Sequence, residues 1–525
     1  RATLVDATVT RLLELTDDTL HALNEAAFHE TRRLDRSRDR HDQEELEYWR
    51  SLARRLGKMG RGERQQTLAE LARRYAEDIA GNFDPRVFDA ATRLIPPLVT
   101  GLLTPSDLPR FVKDPRQLLR LDAIAEKVQV QGPVEELRSL AEKGTLVFVP
   151  THSSNLDSIV FGFALEASGL PPATYGAGKN LFTNPLLSFF MHNLGAYRVD
   201  RRLRHRIYKD CLKAYSTLLI ERGFHSLFFP GGTRSRSGAV EPRLKLGLMG
   251  TALEAYTRSL IAGRERKVFF VPSTINYLIT LEAETLIDDF LTEAGKARFI
   301  IDDDESTRLG RVASFARKLL GMEGAVIIRF GPPCDPFGNR VDAQGMSHDP
   351  RGRVVATDGY VRNVTGDVVL DAKRDAEYTR ELGRELADAF ARETVIMPTN
   401  VVAAACFDTL RSQAPSGDLF TVLRVRDAVV PRDSLAGDVT RIRDQLLDLE
   451  TNGLVHLAGS IRHASGGDIV AQAMAAFSGY HSQPVISPRK DGIGLSDPKL
   501  LFYYQNRIAA HGLAYDPQRA LGGSR

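Results

Sequence analysis

The sequence predicts an α/β protein with a mostly parallel central sheet and flanking helices. Between residues 121 and 335, short apolar runs rich in β-branched and aromatic residues alternate with segments of helical periodicity. This alternation is typical of parallel strands that are connected by helices. Helical patterns also dominate before residue 120 and after residue 376, so we expect helical N- and C-terminal regions beside the sheet.

The length of the chain requires more than one structural unit. With 525 residues, the chain exceeds what one hydrophobic core holds. We predict a helical N-terminal region over residues 1–120, an α/β domain over residues 121–400 and a helical C-terminal region over residues 401–525. The last strand of the sheet is expected at residues 326–330, ended by Gly331.

Two irregular segments follow that strand. Residues 336–375 are rich in Gly and Asp and are predicted to form an insertion or lid. Within it, the runs 351–355 and 368–370 are expected to form a hairpin or lid. Residues 484–497 predict a loose loop in an otherwise helical region.

Composition and charge are those of an ordinary globular chain. Apolar residues make up 43% and charged residues 26%, and the formal net charge is only +3. No apolar run approaches the roughly 18 residues that span a bilayer. We therefore predict a cytoplasmic protein without a transmembrane helix. Because residue 1 is Arg, a missing leader sequence is left open.

A basic segment in the N-terminal region admits two interpretations. Residues 32–74 contain 13 Lys or Arg against 8 Asp or Glu. The interpretation we favour is a solvated helical hairpin that is broken at residues 57–62. The other is a surface that meets anionic lipid headgroups and holds the protein peripherally on the inner face of a membrane.

The sequence indicates no metal or cofactor site. Its three cysteines, Cys211, Cys334 and Cys406, are far apart in the chain and give no zinc spacing. We expect them to be buried thiols in a reducing compartment. The glycines around residue 176 fit neither a P-loop nor a dinucleotide fingerprint, and no Gly-x-Ser-x-Gly elbow is present.

A histidine and an aspartate follow an expected buried strand. Residues 145–149 are an apolar run that leads into Pro-Thr-His152-Ser-Ser-Asn-Leu-Asp157. The spacing alone says little, because four of the twelve histidines have an aspartate five residues later. The other pairs are His205 with Asp210, which we place on a basic helix face, His463 with Asp468, and His511 with Asp516. Only His152 follows a strand, at the edge where open α/β sheets bind ligands, which favours a histidine base held by Asp157.

Three later segments carry arginines or polar residues at the ends of strand-like runs. They are residues 195–202, residues 228–238 (Phe-Phe-Pro-Gly-Gly-Thr-Arg-Ser-Arg-Ser-Gly) and residues 268–277, a strand that its proline is expected to interrupt. Together with the histidine segment, these blocks resemble in order and spacing the four motifs of the glycerolipid acyltransferase family, with its His-x4-Asp pair. The resemblance is greatest to the branch that acts on glycerol 3-phosphate or dihydroxyacetone phosphate.

Smaller matches and two departures accompany this resemblance. Residues 176–182, residues 245–247 and residues 503–507 are similar to further segments of the branch, and the last of these is equally a pattern of helix packing. The departures are Thr151, where the family has Asn before its histidine, and Gly231. At the position of Gly231 the family has Glu, which is associated with binding the phosphate-bearing acceptor.

The resemblance implies transfer of a fatty acyl group from acyl-CoA or acyl carrier protein to the sn-1 hydroxyl of glycerol 3-phosphate. The product would be lysophosphatidic acid, for phospholipid synthesis. His152 would remove the hydroxyl proton while Asp157 fixes its tautomer, with no acyl-enzyme and no cofactor. Arginine suits phosphate because it binds two oxygens at once. The predicted phosphate ligands are Arg234, Arg236, Arg201 and Lys245, and the predicted substrate-binding loop contains Gly232, Thr233 and Ser235.

Two alternatives remain open from the sequence. Dihydroxyacetone phosphate or lysophosphatidate could be the acceptor in the same chemistry, since Gly231 departs from the family. The chain could also be a non-catalytic scaffold that binds lipid or a carrier protein, although the presence of both His152 and Asp157 argues against this. An anionic membrane surface is an expected partner, and nucleic acid is not.

Overall fold

A seven-stranded sheet forms the centre of the protein. The computed structural model describes residues 1–84, 86–87, 128–179, 195–264, 266–294, 325–478 and 480–516. The strand order is β1-β7-β6-β2-β5-β3-β4. The strands of this sheet are β1 (Val128–Gln131), β2 (Gly144–Pro150), β3 (Thr174–Gly178), β4 (Ala196–Val199), β5 (Ser226–Leu227), β6 (Lys267–Tyr277) and β7 (Val326–Phe330).

Helices surround the sheet and fill both terminal regions. In the first half of the chain they are α1 (Ala2–Leu15), α2 (Thr19–Leu34), α3 (Arg40–Leu56), α4 (Arg61–Ile79), α5 (Val134–Lys143), α6 (Asp157–Ala167), α7 (Arg206–Glu221) and α8 (Met249–Ile261). In the second half they are α9 (Ala283–Ala294), α10 (Ala372–Glu393), α11 (Pro398–Gln413), α12 (Leu419–Val422), α13 (Arg432–Thr451), α14 (Gly459–Arg462), α15 (Gly466–Phe477) and α16 (Pro498–Ala509).

Five neighbouring strands run in one direction. Strands β4, β3, β5, β2 and β6 are mutually parallel, whereas β7 is antiparallel to β6 and parallel to β1. The predicted α/β fold with a mostly parallel sheet is therefore confirmed, and β7 has the predicted bounds. The parallel direction brings the carboxyl ends of β2, β5 and β6 to one edge of the sheet, where ligands bind in such folds.

Strand β2 lies in the middle of the sheet and is buried along its whole length. Its side chains alternate between two cores, because successive residues of a strand face opposite sides. Leu146 and Phe148 pack with residues of α5 and α6 on one face. Val147 and Val149 pack with residues of α8 and α10 on the other. Helices on both faces account for the continuous apolar run of this strand.

Strand β6 continues through Pro272, so the predicted interruption of this strand is wrong. The carbonyl of Pro272 accepts a hydrogen bond from Gly331 N at 2.7 Å. In a strand, the nitrogen and the carbonyl of one residue point to the same side, here towards β7. Strand β7 ends at Phe330, directly before the residue opposite Pro272. The N–H that proline lacks is therefore not needed for a hydrogen bond to β7, and the proline fits at this position.

The N-terminal helices α1 to α4 pack against α7. Their shared core includes Leu23, Trp49 and Tyr208. Helix α3 ends at Leu56 and α4 begins at Arg61, so the break that the sequence predicts in this hairpin is confirmed. The domain boundary predicted at residue 120 lies outside the described residues.

The segment after β7 forms a small antiparallel sheet of β8 (Arg340–Val341), β9 (Ser347–His348) and β10 (Val354–Val355). Strand β10 pairs with β9, and Val368 forms a bridge with Arg362. The predicted hairpin between runs 351–355 and 368–370 is therefore wrong. Each run closes a shorter turn with a nearer partner, which costs less chain entropy than a longer loop.

The C-terminal region packs against the sheet domain through one continuous core. This core joins Leu278 and Leu286, which follow β6, to residues of α11, α13, α15 and α16. The predicted boundary between residues 400 and 401 falls inside α11, whose buried residues lie on both sides of it.

Short strands accompany the C-terminal helices. They are β11 (Val395–Ile396), β12 (Val429–Val430), β13 (His456–Leu457), β14 (Ile486–Arg489) and β15 (Gly492–Leu495). Strands β14 and β15 form an antiparallel hairpin across Lys490 and Asp491. The loose loop predicted for residues 484–497 is therefore wrong: the segment is tied to β12 by a third strand pairing.

Two expectations from composition can be compared with the structure. Cys211, Cys334 and Cys406 are buried free thiols, as predicted. Within the ranges that the structure describes, none of the helices combines the length and apolar character that crossing a membrane requires.

His205 lies in a buried aromatic cluster between the N-terminal helices and α7. Its ring caps α7, where Nδ1 accepts a hydrogen bond from Tyr208 N at 3.4 Å, and Nε2 lies 3.1 Å from the hydroxyl of Tyr75. The predicted position on a basic helix face is wrong. Capping of α7 and packing against aromatic rings keep the imidazole buried in the protein. Burial, helped by the nearby positive charge of Lys209, lowers the pKa of His205 to about 4.

We expect acid to destabilise the protein partly through His205. Because its pKa is lower in the folded state than its ordinary value of 6.5, the unfolded chain binds the proton first. Stability is lost as the pH falls from 6.5 to about 4, by up to roughly 3 kcal/mol. His205→Asn keeps a capping acceptor and cannot titrate, so its free energy of unfolding should depend less on pH. Urea unfolding at about pH 7 and pH 4.5 measures this, with exposed His41→Asn as the control. An unchanged pH dependence in His205→Asn would contradict the prediction.

Candidate active site

His152 and Asp157 lie in the turn between β2 and α6, at the carboxyl edge of the sheet. The Nδ1 atom of His152 is 2.8 Å from Oδ2 of Asp157. The Asp157 side chain is completely buried, whereas 16% of the His152 side chain is exposed. The turn therefore holds an accessible imidazole on a buried carboxylate.

Three further donors hold the Asp157 carboxylate. The backbone N–H groups of Ser153 and Ser154 donate to Oδ2 at 2.6 and 2.9 Å, and the hydroxyl of Tyr277 donates to Oδ1 at 2.7 Å. In this arrangement Asp157 accepts from Nδ1–H of His152, which leaves Nε2 as the nitrogen that can accept a proton. Tyr277 ends β6, so a second strand fixes the pair.

An aromatic ring holds the other side of the imidazole. His152 stacks on Phe229, with ring centroids 4.2 Å apart and an angle of 24° between the rings. Phe229 lies two residues after the end of β5, in the segment 228–238. The histidine is thus positioned from three strands, β2, β5 and β6, by a hydrogen bond on its edge and by stacking on its face.

Thr151, the first departure from the family motif, has a structural contact of its own. Its hydroxyl oxygen accepts a hydrogen bond from Ile275 N at 3.0 Å, and its backbone N donates to Ser273 O at 3.0 Å. The side chain is buried. Thr151 therefore extends the pairing of β2 with β6 past Pro150 and fixes the start of the histidine turn.

The glycine loop after β5 closes on the histidine turn through the backbone. Ser235 N donates to the carbonyl of His152 at 2.7 Å, and Lys245 N donates to the carbonyl of Pro230 at 2.7 Å. The Ser235 hydroxyl donates to Ala239 O at 2.7 Å. Ser235 therefore orders the loop rather than presenting its hydroxyl freely.

The other predicted loop residues occupy different positions. Gly232 has a φ of +73°, and a Cβ there would lie 2.5 Å from Nζ of Lys245. A glycine is needed because the backbone is left-handed and the lysine side chain crosses directly over it. Thr233 is exposed at the tip of the loop.

Arg234 and Arg201, from two different loops, come together beside this turn. An Nη1 atom of Arg234 lies 3.4 Å from Oε1 of Glu282, and 21% of its side chain is exposed. Burial and the nearby charge of Arg234 lower the pKa of Arg201. Two guanidinium groups held near each other repel, and an anion between them would relieve that repulsion. The pair is therefore suited to bind a phosphate group.

Two of the four predicted phosphate ligands are placed differently. Arg236 forms an ion pair with Glu293 of α9 at 2.6 Å, at an exposed position. Lys245 is exposed and runs over Gly232. The structure thus brings Arg201 and Arg234 together, whereas Arg236 already has a carboxylate partner.

Glu282 is a site residue that the sequence analysis missed. Its fully buried carboxylate accepts hydrogen bonds from Ser154 Oγ at 2.9 Å and from Asn155 N at 3.0 Å, beside Arg234. It therefore connects the histidine turn to the arginine. Burial raises its pKa to about 7, although Arg234 and these hydrogen bonds favour the charged form. A lone acid in the apolar run 278–283, directly after the fourth motif, was the available signal.

The tail segment 503–507 also reaches the site. Arg507 donates to Ser153 Oγ at 3.2 Å and to Ile275 O at 3.0 Å, and Asn506 donates to the carbonyl of Ser237 at 2.8 Å. Helix α16 therefore contacts both the histidine turn and the glycine loop. The segment packs as a helix and also supplies a buried guanidinium beside His152.

We expect Glu282→Gln to change the pH dependence of stability. The folded pKa of Glu282, about 7, is above its ordinary 4.5, so the stability that its protonated form contributes is lost as the pH rises from about 4.5 through 7. Gln cannot titrate and can still bond Ser154 and Asn155. Relative to the wild type, Glu282→Gln should therefore become more stable between about pH 5 and pH 8 in urea unfolding.

Two other variants make this test specific. Glu282→Ala leaves the Asn155 N–H without its acceptor and should cost about 1 to 3 kcal/mol at either pH. Glu254→Gln alters a surface acid that pairs with Arg258 and should show the wild-type pH profile. Parallel profiles for Glu282→Gln and the wild type would show that the carboxyl does not titrate in this range.

The sheet domain is similar to known proteins. The Acyltransferase family model matches residues 128–276. Glycerol-3-phosphate acyltransferase of Pseudomonas paraeruginosa is 27% identical over 296 residues, which cover 55% of this chain and 31% of that protein. The enzyme of the same name from Aeromonas hydrophila is 32% identical over 153 residues, 29% of this chain and 18% of that protein. The chain thus spans about a third or less of the length of these curated relatives.

A solved structure is also similar to part of the chain. The 1-acyl-sn-glycerophosphate acyltransferase of Thermotoga maritima gives a TM-score of 0.26 at 13% identity, over 56% of this chain and 96% of that one. The family match covers the histidine turn, the glycine loop and β6 up to Asn276. Residues 128–276 are therefore similar to the Acyltransferase family, as the resemblance in the sequence predicts.

Proposed function

We propose that this protein transfers a fatty acyl group from acyl-CoA or acyl carrier protein to the sn-1 hydroxyl of glycerol 3-phosphate. The product is lysophosphatidic acid, a precursor in phospholipid synthesis. The observation that carries the proposal is the hydrogen-bonded pair of His152 and Asp157 beside the two cations Arg201 and Arg234. A base next to a phosphate-binding pair is what a phosphorylated alcohol needs.

In the proposed mechanism, His152 acts directly on the acceptor. Its Nε2 takes the proton from the acceptor hydroxyl as the oxygen attacks the thioester carbonyl. A C–O bond forms, the C–S bond breaks, and the proton passes from the imidazole to the departing thiolate. Asp157 holds the tautomer and stabilises the imidazolium, as the aspartate of a serine hydrolase does. No acyl-enzyme is needed, because the acceptor itself is the nucleophile.

Arg201 and Arg234 place the acceptor for this step. A bidentate arginine fixes both the position and the orientation of a phosphate. Glu282 holds Arg234 and the histidine turn together, so the phosphate and the base keep a set separation. Positioning of this kind supplies a large share of the rate in group transfer. We further propose peripheral binding to an anionic membrane surface on the cytoplasmic side, where the acyl product is delivered.

We expect His152→Ala to lower kcat by about 10² to 10⁴, because a positioned general base contributes that much. The assay follows thiol release from acyl-CoA with glycerol 3-phosphate and identifies the lipid product by mass spectrometry. The chain offers a matched control in His463→Ala, an exposed histidine with the same spacing to an aspartate. Near wild-type transfer by a folded His152→Ala would refute the mechanism.

The phosphate site is tested separately. Arg234→Ala and Arg201→Ala should each raise the KM for the acceptor about 10-fold or more, because a charge-assisted hydrogen bond is lost. The KM for acyl-CoA should change less. Arg204→Ala, an exposed arginine of the same loop region, is the control. An unchanged acceptor KM in both variants would move the phosphate site elsewhere.

Competition among acceptors tests the substrate itself. The purified protein is given glycerol 3-phosphate, dihydroxyacetone phosphate and lysophosphatidate in equal amounts with one acyl-CoA. The proposal predicts that glycerol 3-phosphate is acylated fastest. Preference for either other acceptor would keep the chemistry and change the substrate, and no thiol release with any acceptor would favour a binding scaffold.

A further inference from the structure

A second carboxylate fills the space beside Gly231. A Cβ at position 231 would lie only 2.3 Å from Oε1 of Glu241 and 2.7 Å from its Cδ. No side chain fits at 231 while Glu241 keeps this position. The side chain of Glu241 therefore occupies the space that a side chain at position 231 would fill. Glu241 supplies a carboxyl group there, where Gly231 supplies none.

The Glu241 carboxyl group is buried beside the backbone of His152. Among the described residues, neither of its oxygens has a hydrogen-bond partner, and both are shielded from solvent. A buried carboxyl group without a hydrogen-bond donor lowers stability. Most buried polar groups in proteins therefore have a hydrogen-bond partner. Burial raises the pKa of Glu241 to about 8, against the lowering effect of Arg507 and together with the negative charge of Asp157. The group therefore lies within electrostatic reach of the catalytic carboxylate.

The surrounding contacts place Glu241 beside the reacting histidine. Its loop is docked on the carbonyl of His152 by Ser235 N. Arg507, which acts on the charge of Glu241, donates to Ser153 Oγ next to His152. The carboxyl thus stands between the glycine loop, the histidine turn and α16.

We propose that Glu241 binds the hydroxyl group on the middle carbon of the acceptor, in place of a side chain at position 231. This inference rests on the proposed function and deepens it. A carboxyl group accepts a hydrogen bond from a hydroxyl in either protonation state, whereas phosphate is better bound by guanidinium groups. The phosphate goes to Arg201 and Arg234, the reacting hydroxyl to His152, and the remaining hydroxyl to Glu241. The site then selects phosphorylated alcohols that carry two hydroxyl groups.

The first experiment compares two acceptors that differ in that hydroxyl alone. Glycerol 3-phosphate has it, and 3-hydroxypropyl phosphate lacks it. The wild type should prefer glycerol 3-phosphate in kcat/KM by about 10- to 100-fold, the worth of one hydrogen bond to a buried charged or strongly polar group. Glu241→Ala should reduce this preference to about 1 by slowing only the reaction of glycerol 3-phosphate. Glu241→Gln, which can still bond a hydroxyl, should retain part of it.

The second experiment moves the carboxyl along the chain. Gly231→Glu alone should be nearly inactive, because its side chain collides with Glu241. The double variant Gly231→Glu with Glu241→Ala removes the collision and returns a carboxyl to the same space. It should regain preference for glycerol 3-phosphate relative to Glu241→Ala. Failure to exceed Glu241→Ala, with the double variant folded, would overturn the proposal.

Controls separate the possible outcomes. Glu254→Ala, which removes a surface acid, should keep the wild-type preference. Thermal unfolding should show that Glu241→Ala is at least as stable as the wild type, because the variant lacks a buried carboxyl group. A large loss of stability together with an unchanged preference would assign Glu241 a structural role and overturn the inference.

If the wild type acylates both acceptors equally, the Glu241 inference fails while the proposed function stands. If the wild type acylates neither, the proposed function fails and the inference falls with it.

Discussion

The carboxylate of Asp157 is the point on which the rest of the site depends. It is completely buried and accepts hydrogen bonds from the imidazole, two backbone N–H groups and a tyrosine hydroxyl. A buried charge is tolerated only when donors surround it. Those donors come from the turn after β2 and from the end of β6, so the pairing of these two central strands fixes the histidine. The buried sheet therefore acts as the rigid support of the His152 imidazole.

The sequence predicts the parts of this site that lie on single strands and the turns after them. The run 145–149 with the following histidine, and the glycine loop after β5, are local patterns, and the structure places both at one edge of the sheet. The roles of Tyr277, Glu282 and Arg507 were not predicted, since they arise from contacts between residues 120 or more positions apart in the chain. His205 illustrates the reverse error. Its basic neighbours indicate an exposed position, whereas its ring caps α7 and packs in a buried core.

Three buried carboxyl groups and three guanidinium groups share a small volume around His152. Asp157, Glu241 and Glu282 lie among Arg201, Arg234 and Arg507, but only some of them form close pairs. Burial favours the neutral form of a carboxyl, and it does so most where no donor is present. Glu282, with two donors and Arg234, has a pKa of about 7, and Glu241, whose oxygens have no close hydrogen bond among the described residues, has a pKa of about 8. Groups arranged in this way cost stability, and such a cost is typical of binding sites.

The site is also larger than the segment by which the family is matched. That match ends at residue 276, whereas the donor to Oδ1 of Asp157 is residue 277 and the link to Arg234 is residue 282. Beyond these, Arg507 reaches the histidine turn from α16, which belongs to the core that joins the C-terminal helices to the end of β6. Packing of the C-terminal region thus places a buried guanidinium beside the histidine turn. For this reason the histidine turn, the glycine loop and α16 form one functional unit, although they lie more than 350 residues apart at their extremes.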